Sequence, residues 1–123
     1  MGEPSLGERF ARAVAAKDYE GLKSILHPTI DFRGMTPGAS WEATDAETVI
    51  EEILQKWIED HDSIDALLSI EEDHFSDRHR VGYRFAVHNQ DGPFITEQQA
   101  YYAVEDGRIS FMRVLCSGWR PAE

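Results

Sequence analysis

Cysteine, basic charge and long apolar runs are what this sequence is short of, and each shortage removes a class of function. A single cysteine, Cys116, stands among 123 residues. It has no partner for an internal disulfide and cannot build a cysteine metal cage, which fits a reducing compartment. Met1 to Phe10 holds no apolar run of signal-peptide length, so a cytoplasmic location is expected. No segment approaches the roughly 20 apolar residues of a membrane span, so no membrane partner is expected. Lys and Arg number 12 against 23 Asp and Glu, for a net charge of −11. Such a field repels phosphate backbones and argues against nucleic acid as a partner. The five histidines, His27, His61, His74, His79 and His88, show no helical i, i+4 pair or other metal-ligand spacing. No cofactor motif is visible either, so neither a metal nor a cofactor is expected.

What is present is enough for one folded domain spanning residues 1–123. Hydrophobic residues make up 41% and aromatics 11%, enough burial to offset the entropy of ordering a chain of this length. Acid is concentrated from Glu42 to Asp77, with Arg78, Arg80 and Arg84 just after it, which reads as a solvated face.

The period of the apolar residues divides the chain in two. Ser5 and Glu8 have capping-box spacing, and Leu6, Phe10, Ala13 and Val14 line one face of a helix running to about Lys17. Asp18 caps a second short helix that Pro28 stops at His27. Pro28 to Trp41 reads as loop around one extended stretch, Thr29 to Arg33. Thr44 and Glu47 repeat the capping spacing, and Ala46, Val49, Ile50, Ile53, Leu54, Trp57 and Ile58 then define a long amphipathic helix. From Ser63 the period becomes two. Ile64, Ala66, Leu68 and Ile70 form the inner side of a first strand. Ser76-Asp77 turns into Val81, Tyr83, Phe85 and Val87; Asn89 to Pro93 makes a looser turn into Ile95 to Val104; Asp106-Gly107 turns into Ile109 to Ser117.

Helices first and consecutive antiparallel strands last predict an α+β fold, with helices packed on a curved, mostly antiparallel sheet. A ferredoxin-like sandwich would need strands and helices to alternate. At this point the chain resembles the nuclear-transport-factor-2-like (NTF2-like) superfamily and its SnoaL-like members over nearly its whole length. The landmarks are Lys17-Asp18-Tyr19 at the helix joint, Leu26-His27-Pro28 leading to Ile30-Asp31-Phe32, the helix to Trp57, and the hairpin Val104 to Ile109. The runs Thr96 to Tyr101 and Arg113 to Pro121 are similar to those of SnoaL-like proteins without an assigned activity.

The resemblance implies a cone-shaped domain with a small-molecule pocket, and a homodimer formed through the outer face of the sheet. It does not imply one reaction, because the superfamily includes isomerases, cyclases, epoxide hydrolases, dehydratases and non-catalytic binding domains. Ketosteroid isomerase residues do not carry over. That family's tyrosine donor falls at Phe10, its aspartate base at Gly34, and its protonated aspartate near Gln99 or Ala100. The Arg and paired-Asp arrangement of epoxide hydrolases is not visible either.

The residues themselves supply weak candidates for chemistry. His74 and His88 lie near strand ends, where an imidazole at a cone mouth has the right range for a general base, and Asp31 is the nearest carboxylate candidate. His27, before Pro28, reads as a helix-end residue meeting the last carbonyls. Arg33 and Arg113 read as guanidiniums held inside, which demands a carboxylate such as Asp31 or Glu97, or a bound anion. Strand alternation lets only half of Tyr83, Gln98, Gln99, Tyr101 and Tyr102 face inward, and the residues alone leave the half open. The resemblance points Met112, Val114 and Cys116 into the cone. The expected pocket therefore comprises Phe10, Arg33, Trp41 and Trp57, with Tyr83, Gln98 and Tyr102 from the middle strands and Met112, Val114 and Cys116 from the last. Two functions follow as expectations. One is a domain that binds a small apolar molecule, with cofactor-free acid/base catalysis as its extension; the other is a non-catalytic binding or dimerisation module.

Overall fold

The computed structural model describes residues 4–122. Helix α1, Leu6–Ala16, begins at Ser5, whose hydroxyl oxygen accepts from the Glu8 N–H at 3.0 Å, and ends where Lys17 turns left-handed. Asp18 accepts from the Gly21 N–H and opens α2, Tyr19–Ile25. Both starts obey the capping chemistry read from the sequence. The third start differs by one residue. Asp45, not Thr44, accepts from the Thr48 N–H at 2.7 Å, and the Thr48 hydroxyl donates back to it at 3.0 Å. A carboxylate satisfies both donors at once, where a threonine hydroxyl has a single oxygen to offer. Helix α3 then runs through Ala46–Thr48, Val49–Leu54 and Gln55–Trp57, and its middle stretch is π-wound. It buries Ala46, Val49, Ile50, Ile53 and Leu54.

Six strands form one sheet in the order β2-β1-β6-β5-β4-β3. They are β1 Leu26–Thr36, β2 Ala39–Ala43, β3 Ser63–Phe75, β4 Arg78–Asn89, β5 Gly92–Glu105 and β6 Arg108–Pro121. All neighbours run antiparallel except β1 and β6. The stretch expected to be mostly loop is thus a hairpin. Pro37 and Gly38 turn it, with Gly38 at φ 80°, the geometry that favours proline followed by glycine. His27 lies in β1 instead of capping α2, and its Nδ1 accepts from the Thr29 N–H. The β4–β5 turn is tight, since Asn89 pairs with Gly92.

The strict alternation expected in β3 also fails. Register shifts fall between Ile64 and Ala66 and between Leu67 and Ser69. The inward positions become Ile64, Leu67 and Ile70, while Ala66 and Leu68 are exposed. Bulges of this kind bend a strand and increase its twist, which curls this sheet around the helices. On the inner face β4 buries Val81, Tyr83, Phe85 and Val87; β5 buries Thr96, Gln98, Ala100 and Tyr102; β6 buries Met112, Val114 and Cys116. Gln98 and Tyr102 therefore face inward, and Gln99 and Tyr101 lie on the other side. The inner side chains meet Phe10, Ala13 and Val14 of α1 and the apolar face of α3 in one core. The architecture is α+β, with helices on one face of a mostly antiparallel sheet.

Candidate binding site

Part of the inner face is filled. Phe10, Tyr102 and Met112 are fully buried in the core, and the Tyr102 hydroxyl accepts from the Gly7 N–H at 2.9 Å. Beyond them a cavity of about 240 Å³ remains open. Thr36 and Pro37 bound it at the β1–β2 turn, Trp41 on β2, and Lys56, Trp57 and Ile58 at the end of α3. Thr96 and Gln98 of β5 and Cys116, Gly118 and Trp119 of β6 complete the wall. All three tryptophans of the chain meet here.

The polar groups of this wall are unevenly paired. Gln98 is 5% exposed, and its Oε1 accepts from the Tyr83 hydroxyl at 2.6 Å. Its Nε2 has no hydrogen-bond partner among the described residues. The Trp41 indole donates to Thr36 Oγ1 at 2.9 Å, and the Thr96 hydroxyl lies 3.6 Å from Cys116 Sγ. The Trp57 Nε1–H is buried and unpaired. Burial, with a smaller contribution from Cys116, pushes the Tyr83 phenol far above its ordinary range, so its hydroxyl stays a donor at any physiological pH. Lys56 stands at the rim, 3.4 Å from Glu52 and exposed. Among the described residues no carboxylate and no imidazole lines the cavity.

Trp57 also explains why Gly34 is where it is. A Cβ at residue 34 would lie 2.6 Å from Trp57 Cη2, so the indole occupies the space a side chain there would need. Gly34 is the position to which the ketosteroid isomerase resemblance assigns a base. Here that space holds an aromatic ring.

The candidates for chemistry lie elsewhere. Arg33 is exposed on the outer face, because it alternates with buried Phe32 and Gly34 along β1. Arg113 is not held inside either: it shares the outward parity of Phe111, stacks 4.1 Å from that ring and pairs with Asp31 at 3.3 Å. The apolar run around it belongs to two faces, which a linear reading merges. Glu97, the other partner considered, binds Arg84 at 2.6 Å. His74 is exposed beside His79, and His88 Nδ1 lies 2.8 Å from Asp65. None of these residues reaches the cavity. Of the expected pocket, Trp41, Trp57, Gln98 and Cys116 line it and Tyr83 supports it from below. Phe10, Tyr102 and Met112 are core instead. Val114 is buried between this core and an outer groove of about 700 Å³ that Arg33, Met35, Glu42, Tyr101, Arg113 and Leu115 border. Thr36, Lys56, Ile58 and Thr96 belong to the cavity and escape a sequence reading. Thr96 alone carried a signal, since it shares the parity of Gln98.

His27, Glu105 and Asp106 bring potential ligand atoms within 4.8 Å of one another at the surface. His27 Nδ1 lies against the Thr29 N–H and hydroxyl, and its Nε2 faces Asp106 at 3.6 Å.

No family model matches the chain, and no curated protein sequence matches it. Solved structures do. The chain is similar to an NTF2-like protein from Burkholderia thailandensis, with a TM-score of 0.67 and 12% identity over 94% of this chain and 92% of that one. It is similar to a hypothetical protein with a ketosteroid isomerase-like fold from Catenulispora acidiphila, solved with trimethylamine, at 0.68 and 15% over 94% and 88%. An LEH-like epoxide hydrolase from M. tuberculosis matches at 0.66 and 13% over 91% and 80%. At such identities the likeness speaks to architecture alone. Among the described residues no helix is long and apolar enough to cross a membrane. The order of elements, the bent sheet and these matches together give the chain the NTF2-like fold.

Proposed function

We propose that the cone binds a small, uncharged, largely apolar molecule, and that this binding is the activity the geometry supports over proton transfer by a cavity side chain. The observation that carries the reading is the convergence of Trp41, Trp57 and Trp119 on one hollow beside a buried glutamine with a free NH₂. Aromatic walls with one or two fixed polar groups are what a small hydrophobic ligand requires. The volume, about 240 Å³, lies just below the roughly 300–1,000 Å³ of sites for drug-sized ligands, so the ligand is of one-ring size. A proton-transfer enzyme needs a titrating group within reach of its substrate. The candidates His74, His88 and Asp31 sit on the outside, and the base position at Gly34 is taken up by Trp57.

Titration of the ¹⁵N-labelled protein with acetophenone tests the reading. All three indole Nε1–H signals are expected to shift together and saturably. Indole signals that stay in place up to the solubility limit of the ketone would end it.

A second reading has its own observation and is compatible with the first. Met35 and Leu115 are 58% and 59% exposed on the outer sheet face, beside Tyr101. We propose that a second copy of the chain covers this face, since apolar patches of this kind on a sheet mark an interaction surface. Sedimentation equilibrium is expected to give twice the 14.0 kDa chain mass, and Leu115→Glu is expected to return it to one. A wild-type mass of a single chain would remove this reading.

A further inference from the structure

Gln98 can present either end of its amide to the cavity, and its neighbour decides which. The Tyr83 hydroxyl is buried among aromatic rings, 6.4 Å centroid to centroid from Phe10 and 5.1 Å from Phe85. Its hydrogen-bond partner is Gln98 Oε1, at 2.6 Å. With the amide turned over, Nε2 would face the hydroxyl and the phenolic proton would have no acceptor. A buried donor left unpaired is costly, so the orientation with Oε1 toward Tyr83 is enforced. The NH₂ group is then directed away from Tyr83, on the side where Gln98 borders the hollow.

The other polar groups of the wall are less specific. Trp57 Nε1–H is a second unpaired donor, but it is sealed from the hollow. Thr36 Oγ1 accepts from Trp41 and the Thr96 hydroxyl lies against Cys116, and each oxygen keeps a further lone pair. The polarity therefore rests on the Gln98 amide.

We infer that Tyr83 is a specificity-determining positioning residue: by fixing the Gln98 amide it turns a donor, not an acceptor, toward the cavity, selecting a ligand that presents a carbonyl acceptor, such as a ketone, ester or amide, over the matching alcohol. The inference rests on the binding reading above and deepens it by naming the ligand's chemistry. A hydroxyl-bearing ligand accepts too, but its own proton finds no acceptor at Gln98.

The test uses acetophenone and 1-phenylethanol, which differ only in the oxidation state of one carbon. Dissociation constants come from calorimetry on wild type, Tyr83→Phe and Gln98→Leu. Wild type is expected to prefer the ketone by about three- to tenfold, the range of one neutral hydrogen bond. In Tyr83→Phe the amide is free to turn, so both compounds still bind and the preference falls toward unity. Gln98→Leu is expected to lose the preference as well. A purely structural role for Tyr83 would weaken both compounds equally and leave their ratio unchanged. Equal wild-type affinities, or a ratio that survives Tyr83→Phe, would overturn this inference while leaving the binding reading intact. If neither compound binds, the binding reading falls and this one with it. A measurement on the wild type covers a variant that does not fold. Nuclear Overhauser contacts from the Gln98 NH₂ protons are expected to reach the cavity indoles, and contacts confined to the Tyr83 ring would reverse the orientation argued here.

Discussion

The filled and hollow halves of the inner face are built by the same strands, and a buried tyrosine anchors each. In the filled half Tyr102 accepts from the backbone N–H of Gly7, a fixed partner on α1. In the hollow half Tyr83 donates to Gln98, whose own donors then go unmatched. The first arrangement sets the phenolic oxygen on a backbone donor of the chain. The second passes an unpaired group on toward an open space, beside another unpaired donor on Trp57. Native interiors pair nearly all their buried polar groups, so the unpaired donors of the hollow half are what the proposed binding reading rests on.

Core truncation gives the widest contrast between the halves. Phe10→Ala should cost about 3–5 kcal/mol, as expected for a fully buried phenylalanine. Trp119→Ala, at the partly exposed cavity wall, should cost clearly less. Urea unfolding of the two variants measures the difference, and equal losses would mean that the hollow half is packed in solution.

Gly34→Ala comes next. Its new methyl would lie 2.6 Å from Trp57 Cη2, and such overpacking should cost about 1–3 kcal/mol. Displacement of Trp57 should register as a shift of its indole fluorescence. A neutral Gly34→Ala with unchanged fluorescence would show that Trp57 does not hold the place described.

The Tyr83–Gln98 bond gives an effect of similar or smaller size with a distinctive pattern. Gln98→Leu strands the phenolic proton and should cost about 1–3 kcal/mol, whereas adding Tyr83→Phe to it should recover most of that loss. Additive losses would break the link between the two residues.

Much of the fold was legible because local chemistry dictates it. Ser5 and Asp18 start helices wherever they precede an apolar face, and period two marked the last four strands. The hairpin of β1 and β2 was missed although Pro37-Gly38 is a strong turn signal, because β2 is short and alternates poorly. Bulges in β3 shifted its inward set from Ile64, Ala66, Leu68 and Ile70 to Ile64, Leu67 and Ile70. A bulge is set by curvature of the whole sheet and leaves no mark on composition. The π-wound stretch of α3 is equally silent, since its apolar positions also fit an ordinary helix. The cavity was partly visible: Trp41, Trp57, Gln98 and Cys116 could be named, with Tyr83 beneath them. Arg33 and Arg113 were misplaced because a charge in an apolar run looks buried until the strand's two faces are separated. Lys56 and Ile58 join the wall through tertiary approach alone.

Acid should produce the smallest effect, and it separates fold stability from the cavity. Asp45 is held below the usual carboxylate range by the Thr48 backbone N–H and then by the Thr48 hydroxyl. Glu97 is held down by its hydrogen bond from Arg84 and then by that from Gln99. Both groups therefore bind a proton less readily in the folded chain than in the unfolded one. Their stabilisation is complete above the ordinary carboxylate values near ~4 and is lost as pH falls through the lower folded values. Urea midpoints should hold level from neutral pH to about 5 and decline below about 4, with a shallower decline in Glu97→Gln. Among the described residues the cavity wall contains no carboxylate, so the ketone-to-alcohol ratio should stay constant over the same range while the protein remains folded. A ratio that moved with pH would place a titrating group within reach of the ligand, and proton transfer in the cone would have to be considered again.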